Sequence, residues 1–142
     1  GLTRMNYFIN YGWLRFMAVI CSLLLLSACA TTKEAEISIE ERATQRWEAL
    51  LGGDLAGAYE YLSPGARSSI TSMQYQRTIL TQRVAWTAAR YVGSECEEST
   101  CVVNVSLDYS VYGALPGVKS FKGTKDVKES WVLVEGIWYL VP

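Results

Sequence analysis

No histidine occurs in the 142 residues. Imidazole is the side chain best suited to general-base work near neutral pH and a common zinc ligand. A Ser-His-Asp triad, an HExxH zinc site and any two-histidine metal site are therefore excluded. Chemistry must come from carboxylates, phenols and thiols. Among the carboxylates Glu129 stands out: counted by twos along an extended segment, it shares a face with Val127, Trp131 and Leu133. A carboxylate in an apolar pocket is desolvated, which raises its pKa. Beside Tyr91 or Tyr109 it would make a base with a phenolic oxyanion donor, a pairing suited to isomerisation or hydrolysis. The plainer expectation is an ion pair between Glu129 and Arg90 or a lysine. Asp108 falls on the polar face of its segment, and Asp54 reads as a helix cap.

Two other patterns suggest binding rather than catalysis. The stretch Gly113-Ala114-Leu115-Pro116-Gly117-Val118-Lys119-Ser120 has the look of a phosphate loop. Such a loop needs its second glycine directly before the lysine and a helix after it. Val118 holds that position and a strand pattern follows, so nucleotide binding is not expected. Lys119, Lys122, Lys125 and Lys128 cluster nearby. They read as a solvated face, with anionic headgroups as the alternative partner. The net charge of −1 argues against a nucleic-acid binder, which shows a basic face. No cofactor is implied.

The chain begins with a cationic, acid-free stretch. Residues 1–28 hold Arg4 and Arg15, and Phe16 to Leu26 form an apolar run, with Met5 the favoured start. A membrane-spanning helix needs about 20 apolar residues, so this run fits a secretory signal better than an anchor. It is followed by Leu26-Ser27-Ala28-Cys29, which resembles a bacterial lipobox. The resemblance implies cleavage before Cys29, diacylation of its thiol (a palmitate-type modification) and acylation of the new amino group. Two or three acyl chains hold a protein stably where one does not. With Ala30 rather than Asp next, the resemblance implies the periplasmic face of the outer membrane. The expected organisation is a signal over 1–28, a lipidated tether over 29–37 and one domain over 38–142. Ala30 to Ile37 reach at most ~28 Å when extended, so the domain is held close to the bilayer.

Cys21 would leave with the signal and Cys29 would be acylated. Cys96 and Cys101 then remain, in an oxidising compartment, and pair most simply with each other. Strand-like residues flank both, which places them opposite one another across a hairpin mouth. A redox C-x-x-C pair would have two intervening residues, and zinc would need further ligands.

The elements that must position these groups follow from periodicity. Ser38 to Glu41 read as a capping box, and Ile39, Ala43, Trp47, Leu50 and Leu51 recur at helical spacing until Gly52-Gly53. Asp54 opens a short second helix, which Ser63-Pro64-Gly65 is read to end, and Ser72 opens a third. The period then changes to two. Strands are expected over Trp86 to Glu95, Cys101 to Tyr112, Thr124 to Val134 and Ile137 to Val141, with a loop over Gly113 to Gly123. Glu135-Gly136 is a two-residue hairpin turn that pairs Leu133 with Trp138 and Trp131 with Leu140. The class expected is α+β: three N-terminal helices packed on a curved, four-stranded antiparallel sheet.

At that point the chain resembles the nuclear transport factor 2-like (SnoaL-like, cystatin-like) superfamily. The resemblance rests on Trp47-Glu48-Ala49-Leu50-Leu51-Gly52-Gly53-Asp54 with Ala58-Tyr59, and on Trp131 to Leu140. It implies a cone with one open mouth, with Tyr91, Tyr109, Glu129 and Trp131 as pocket residues. The superfamily contains isomerases and dehydratases as well as binding and dimerising domains, and fold does not choose among them. The leading expectation is a membrane-anchored envelope lipoprotein whose non-catalytic domain binds a partner protein, a second copy or a small apolar ligand. The alternative is an isomerase-like or hydrolase-like enzyme using Glu129 with a tyrosine such as Tyr109.

Overall fold

The computed structural model describes residues 35–142. The expected signal over 1–28, Cys29 and the tether as far as residue 34 lie outside the described residues. Ala35 packs on the core, and the Glu36 amide donates to the Gly136 carbonyl at 2.9 Å. The chain thus enters the domain beside its last hairpin.

Four helices come first: α1 (Ile39–Leu51), α2 (Leu55–Tyr59), α3 (Pro64–Ser69) and α4 (Ser72–Leu80). Four strands follow: β1 (Val84–Glu97), β2 (Thr100–Leu115), β3 (Val118–Val134) and β4 (Ile137–Val141). They form one antiparallel sheet in the order β1-β2-β3-β4.

Each helix starts where a side chain satisfies the free amides of its first turn. Ser38 Oγ accepts from the Glu41 amide at 3.1 Å, and Asp54 Oδ1 from the Gly57 amide at 2.8 Å. Thr71 and Gln74 complete a reciprocal capping box at α4. Helix α1 stops at Gly52-Gly53, with Gly53 at φ +79°, where a side chain would be strained. Of the helices, α1 carries the broad contact with the sheet, through β1 and β2. Helix α2 leans on α1, and α4 on α2.

The expectation of three helices packed on a curved sheet, the nuclear transport factor 2-like cone, is therefore corrected. The class remains α+β, but there are four helices. The added one, α3, starts at the Ser63-Pro64 pair expected to act only as a stop. Ser63 Oγ accepts from the Ala66 amide, and Pro64 stands at the first turn, where a missing N–H costs nothing. Helices α3 and α4 bury no residue fully, so they do not form a layer against the sheet. The strands are also longer than expected. The supposed loop over Gly113 to Gly123 is strand on both sides of Pro116-Gly117, with Leu115 paired to Val118 and Gly117 at φ +80°. Proline before a left-handed glycine makes a two-residue turn, and just before it the register shifts between Tyr112 and Leu115, where Gly113 takes φ +65°.

The last hairpin turns through Glu135 at φ +52° and Gly136 at φ +85°, the left-handed pair that matches strand twist. It pairs Leu133 with Trp138 and Trp131 with Leu140, as expected. The inward side of the sheet buries Cys101, Val103, Val105, Leu107 and Trp131 against Ala43 and Trp47 of α1 and Leu62. At the far end Cys96 faces Cys101 with Cα atoms 4.0 Å apart, and the two are joined by a disulfide.

That bridge closes a loop of six residues, which limits the unfolded chain by about 2 kcal/mol. The paired substitution C96S/C101S should lower the stability measured by urea unfolding by that amount while leaving the circular dichroism of the sheet in place. Loss of the folded baseline would mean that the bridge does more than close a hairpin.

Candidate functional site

Glu129 lies on the inward face of β3, opposite Val103 in the ladder. Its partner is neither Arg90 nor a lysine. Arg46 Nη1 from α1 donates to Glu129 Oε1 at 2.6 Å, and Trp131 Nε1 donates to the other oxygen at 3.3 Å. The ion-pair side chains are 10% and 9% exposed. The Arg46 guanidinium also lies 5.1 Å from the Trp47 ring. Arg46 Nε is buried without a hydrogen-bond partner among the described residues. The pair is thus closely held yet not fully satisfied, which is costly.

A charged arginine on the apolar stripe of α1, next to Trp47 and three residues after Ala43, was the signal available in the sequence. A buried guanidinium needs an anion. What the sequence withholds is which anion, because 83 residues separate the two.

The phenols do not join this carboxylate. The Tyr91 hydroxyl donates to Ser94 Oγ at 2.8 Å. Its ring borders a small cleft of about 90 Å³ with Trp47, Glu48, Leu51 and Val105, and Glu129 does not line that cleft. Tyr109 stands opposite Gly123, six residues along β2 from Val103, the neighbour of Glu129. At about 3.4 Å per residue that is roughly 20 Å. Tyr109 belongs instead to an aromatic row. Trp47 meets Trp86 edge-on at 6.1 Å, Trp86 meets Tyr109 at 6.1 Å, and Tyr109 meets Phe121 at 6.4 Å. A Cβ at Gly123 would come within 2.6 Å of the Tyr109 hydroxyl, so the ring lies over bare backbone. Trp131 is 1% exposed and packs in the core, and it borders an open recess of about 750 Å³ beside the disulfide, which Glu129 does not line.

On the outward face Arg90 grips Asp108 with both terminal nitrogens, at 2.8 and 3.0 Å, and Thr124 donates to the same carboxylate at 2.7 Å. The hydrogen bonds from Arg90 and then Thr124 hold the Asp108 pKa down, at about 2. The same pairing raises Arg90 above its ordinary value.

Another recess, of about 300 Å³, opens where the chain enters the domain. Arg42 lies 4.1 Å over the Tyr61 ring and donates through Nε to the Trp138 carbonyl at 3.1 Å. Arg67 reaches Glu60 at 2.6 Å and lies 5.8 Å from the Tyr139 ring. Glu36 also lines the recess. Charges of both signs meet there, so it has no net preference for an ion. Among the described residues no three cysteine, aspartate or glutamate side chains are grouped to hold a metal, and no helix is long and apolar enough to cross a membrane.

The depressed Asp108 pKa has a signed consequence. Its contribution to stability is fully present above the ordinary carboxylate value and is lost as pH falls through about 2. A carbon-detected titration of the side chains should find Asp108 ionised at pH 3, and R90Q should return its midpoint towards an ordinary aspartate.

No family model matches the chain, and no curated protein matches it. Solved structures do. The fold is similar to the solution structure of a SEC-C motif containing protein from Rhodopseudomonas palustris, with a TM-score of 0.58 and 16% identity over 74% of this chain and 76% of that one. A structure of Aln2 from a Streptomyces species aligns with a TM-score of 0.45 and 17% identity, over 70% of this chain and 80% of that one. At such identities the likeness to the first is one of fold alone.

Proposed function

We propose that this chain is a lipid-anchored bacterial envelope protein whose domain is a binding module and not an enzyme. The observation that carries the second half is the state of Glu129. Both its oxygens already accept hydrogen bonds, from Arg46 at 2.6 Å and Trp131 at 3.3 Å. A general base must come within hydrogen-bond reach of a substrate proton, and this carboxylate, 9% exposed and lining none of the clefts described above, is turned into the body of the domain, where it holds α1 to β3. The nearest phenolic candidates make other contacts, so no acid–base pair forms around it. The anchor half rests on Leu26-Ser27-Ala28-Cys29 and the signal-like stretch before it. Glu36 follows Cys29 by seven residues, which span about 25 Å at most. An acylated Cys29 would therefore keep the domain at the bilayer surface, and the outer membrane's periplasmic face is the location proposed.

The two halves are tested separately. Intact-mass measurement of protein extracted from bacterial membranes should show residues 1–28 removed and acyl chains on Cys29. A free thiol with the leader still attached would remove the anchor. For the domain, E129Q leaves a buried guanidinium without its counter-charge and should cost about 3 kcal/mol in urea unfolding. The joint change R46M/E129L should recover much of that loss. A catalytic Glu129 would show the reverse pattern, with stability kept in E129Q and turnover lost.

A further inference from the structure

Strand β3 outruns its neighbour. It pairs with β2 along its length, but β4 covers only Ser130 to Val134. Among the described residues no strand pairs with the other edge of residues 118–129. An edge of that length presents a row of unpaired backbone donors and acceptors, which is a template for another strand. The register with β2 runs without a shift from Ser120 to Val132. No proline or bulge interrupts the edge there; what guards it against unselective pairing is its row of lysines, a charge that an acidic strand would neutralise.

The edge is also strongly signed. Lys119, Lys122, Lys125 and Lys128 are all exposed, and Asp126 is the one exposed acid in the segment. Glu129 is turned inward and held by Arg46. The lysines are shared between faces: Lys119 and Lys125 point the same way as Glu129, and Lys122 and Lys128 the opposite way. Val118 and Phe121 are exposed beside them, at 44% and 54%. A second copy is a poor occupant. Residues directly opposite in an antiparallel pair share a face. Of the self-pairing registers centred near the middle of 118–129, two set lysine against lysine (Lys119 against Lys125, or Lys122 against Lys128), and the other two bring an exposed carboxylate, Asp126, to Lys122 at most. Like charges directly opposite in a ladder repel.

We propose that the open edge of β3 receives an extended acidic segment of a partner protein, added as a fifth strand. The backbone of residues 118–129 supplies the ladder, the lysines select carboxylates on both faces of the added strand, and Phe121 offers an apolar anchor. This names the kind of partner that the binding-module reading requires and rests on that reading. The edge can fail its own test while the Cys29 and Glu129 results stand.

The test uses the full chain extracted from membranes and fluorescein-labelled eleven-residue peptides. One peptide repeats Val-Val-Glu-Glu, which puts glutamate on both faces of an extended strand, one repeats Val-Val-Lys-Lys, and one is the acidic peptide with a central proline. The acidic peptide should bind by anisotropy, weaken as salt rises, and slow amide hydrogen exchange within 118–129. The other two should bind about tenfold more weakly or worse. The variant K122E/K125E, checked for fold by circular dichroism, should lose the acidic peptide by about tenfold and gain the basic one. Several results would overturn the proposal: equal binding of the proline-interrupted peptide, binding without protection of 118–129, or protection of that edge in the free protein through self-association.

Discussion

The inward face of the β2–β3 ribbon must be kept from water, and every other element is placed by that requirement. Val103, Val105, Leu107 and Trp131 are each 2% exposed or less. They alternate with polar residues, so a slip of one position would turn all of them outward. Both ends of the ribbon are secured against it. The Cys96–Cys101 bridge closes the β1–β2 turn, and the left-handed Glu135-Gly136 pair sets the β3–β4 register. Helix α1 covers the face with Ala43 and Trp47. Leu62 is tied in by the Leu140 amide, which donates to the Tyr61 carbonyl at 2.7 Å.

Glu129 is inside because of this parity. It stands two residues before Trp131, so any register that buries the tryptophan buries the carboxylate too. Arg46 reaches it because Trp47, its neighbour on α1, is drawn to the same core. The ion pair is thus a consequence of two hydrophobic choices, made stable by satisfying each charge with the other. Such pairs add little to stability over an apolar pair, but they penalise misplacement of the helix, because a displaced α1 would leave both charges buried and alone.

The ribbon continues past the region that α1 covers. Beyond Leu107 the same face carries Tyr109, Val111 and Phe121, and the cover changes from helix to the aromatic row that starts at Trp47. Exposure rises along that row, from 7% at Trp47 to 54% at Phe121. The other face is organised in this region by Arg90, Asp108 and Thr124. A sheet with one buried and one wet face, outrunning its helices at one end, has free edge there for physical reasons: β4 is five residues long and β3 is seventeen.

Much of this is local and legible along the chain. Ser38 and Gly52-Gly53 bound α1 because capping and left-handed glycine act within one turn of the helix. The alternation from Cys101 to Val111 declares a half-buried strand, and the Glu-Gly turn sets the last register. Two local signals carry more than one meaning, and at those the expected and observed elements differ. Pro64 can end one helix or begin the next, and the free Ser63 hydroxyl decides. Glycines around Pro116 can make a loop or a tight turn, and pairing with the neighbouring strand decides.

By itself, then, the sequence determined the α+β class, helices before strands, the disulfide partners and the apolar face of β2, because each depends on neighbours within a few residues. Only the tertiary structure decided that Glu129 meets Arg46, that Tyr109 stands far from both, and that much of β3 has, among the described residues, no strand beside it on one edge. Those facts depend on strand lengths and on contacts between distant segments, and neither leaves a mark on local spacing.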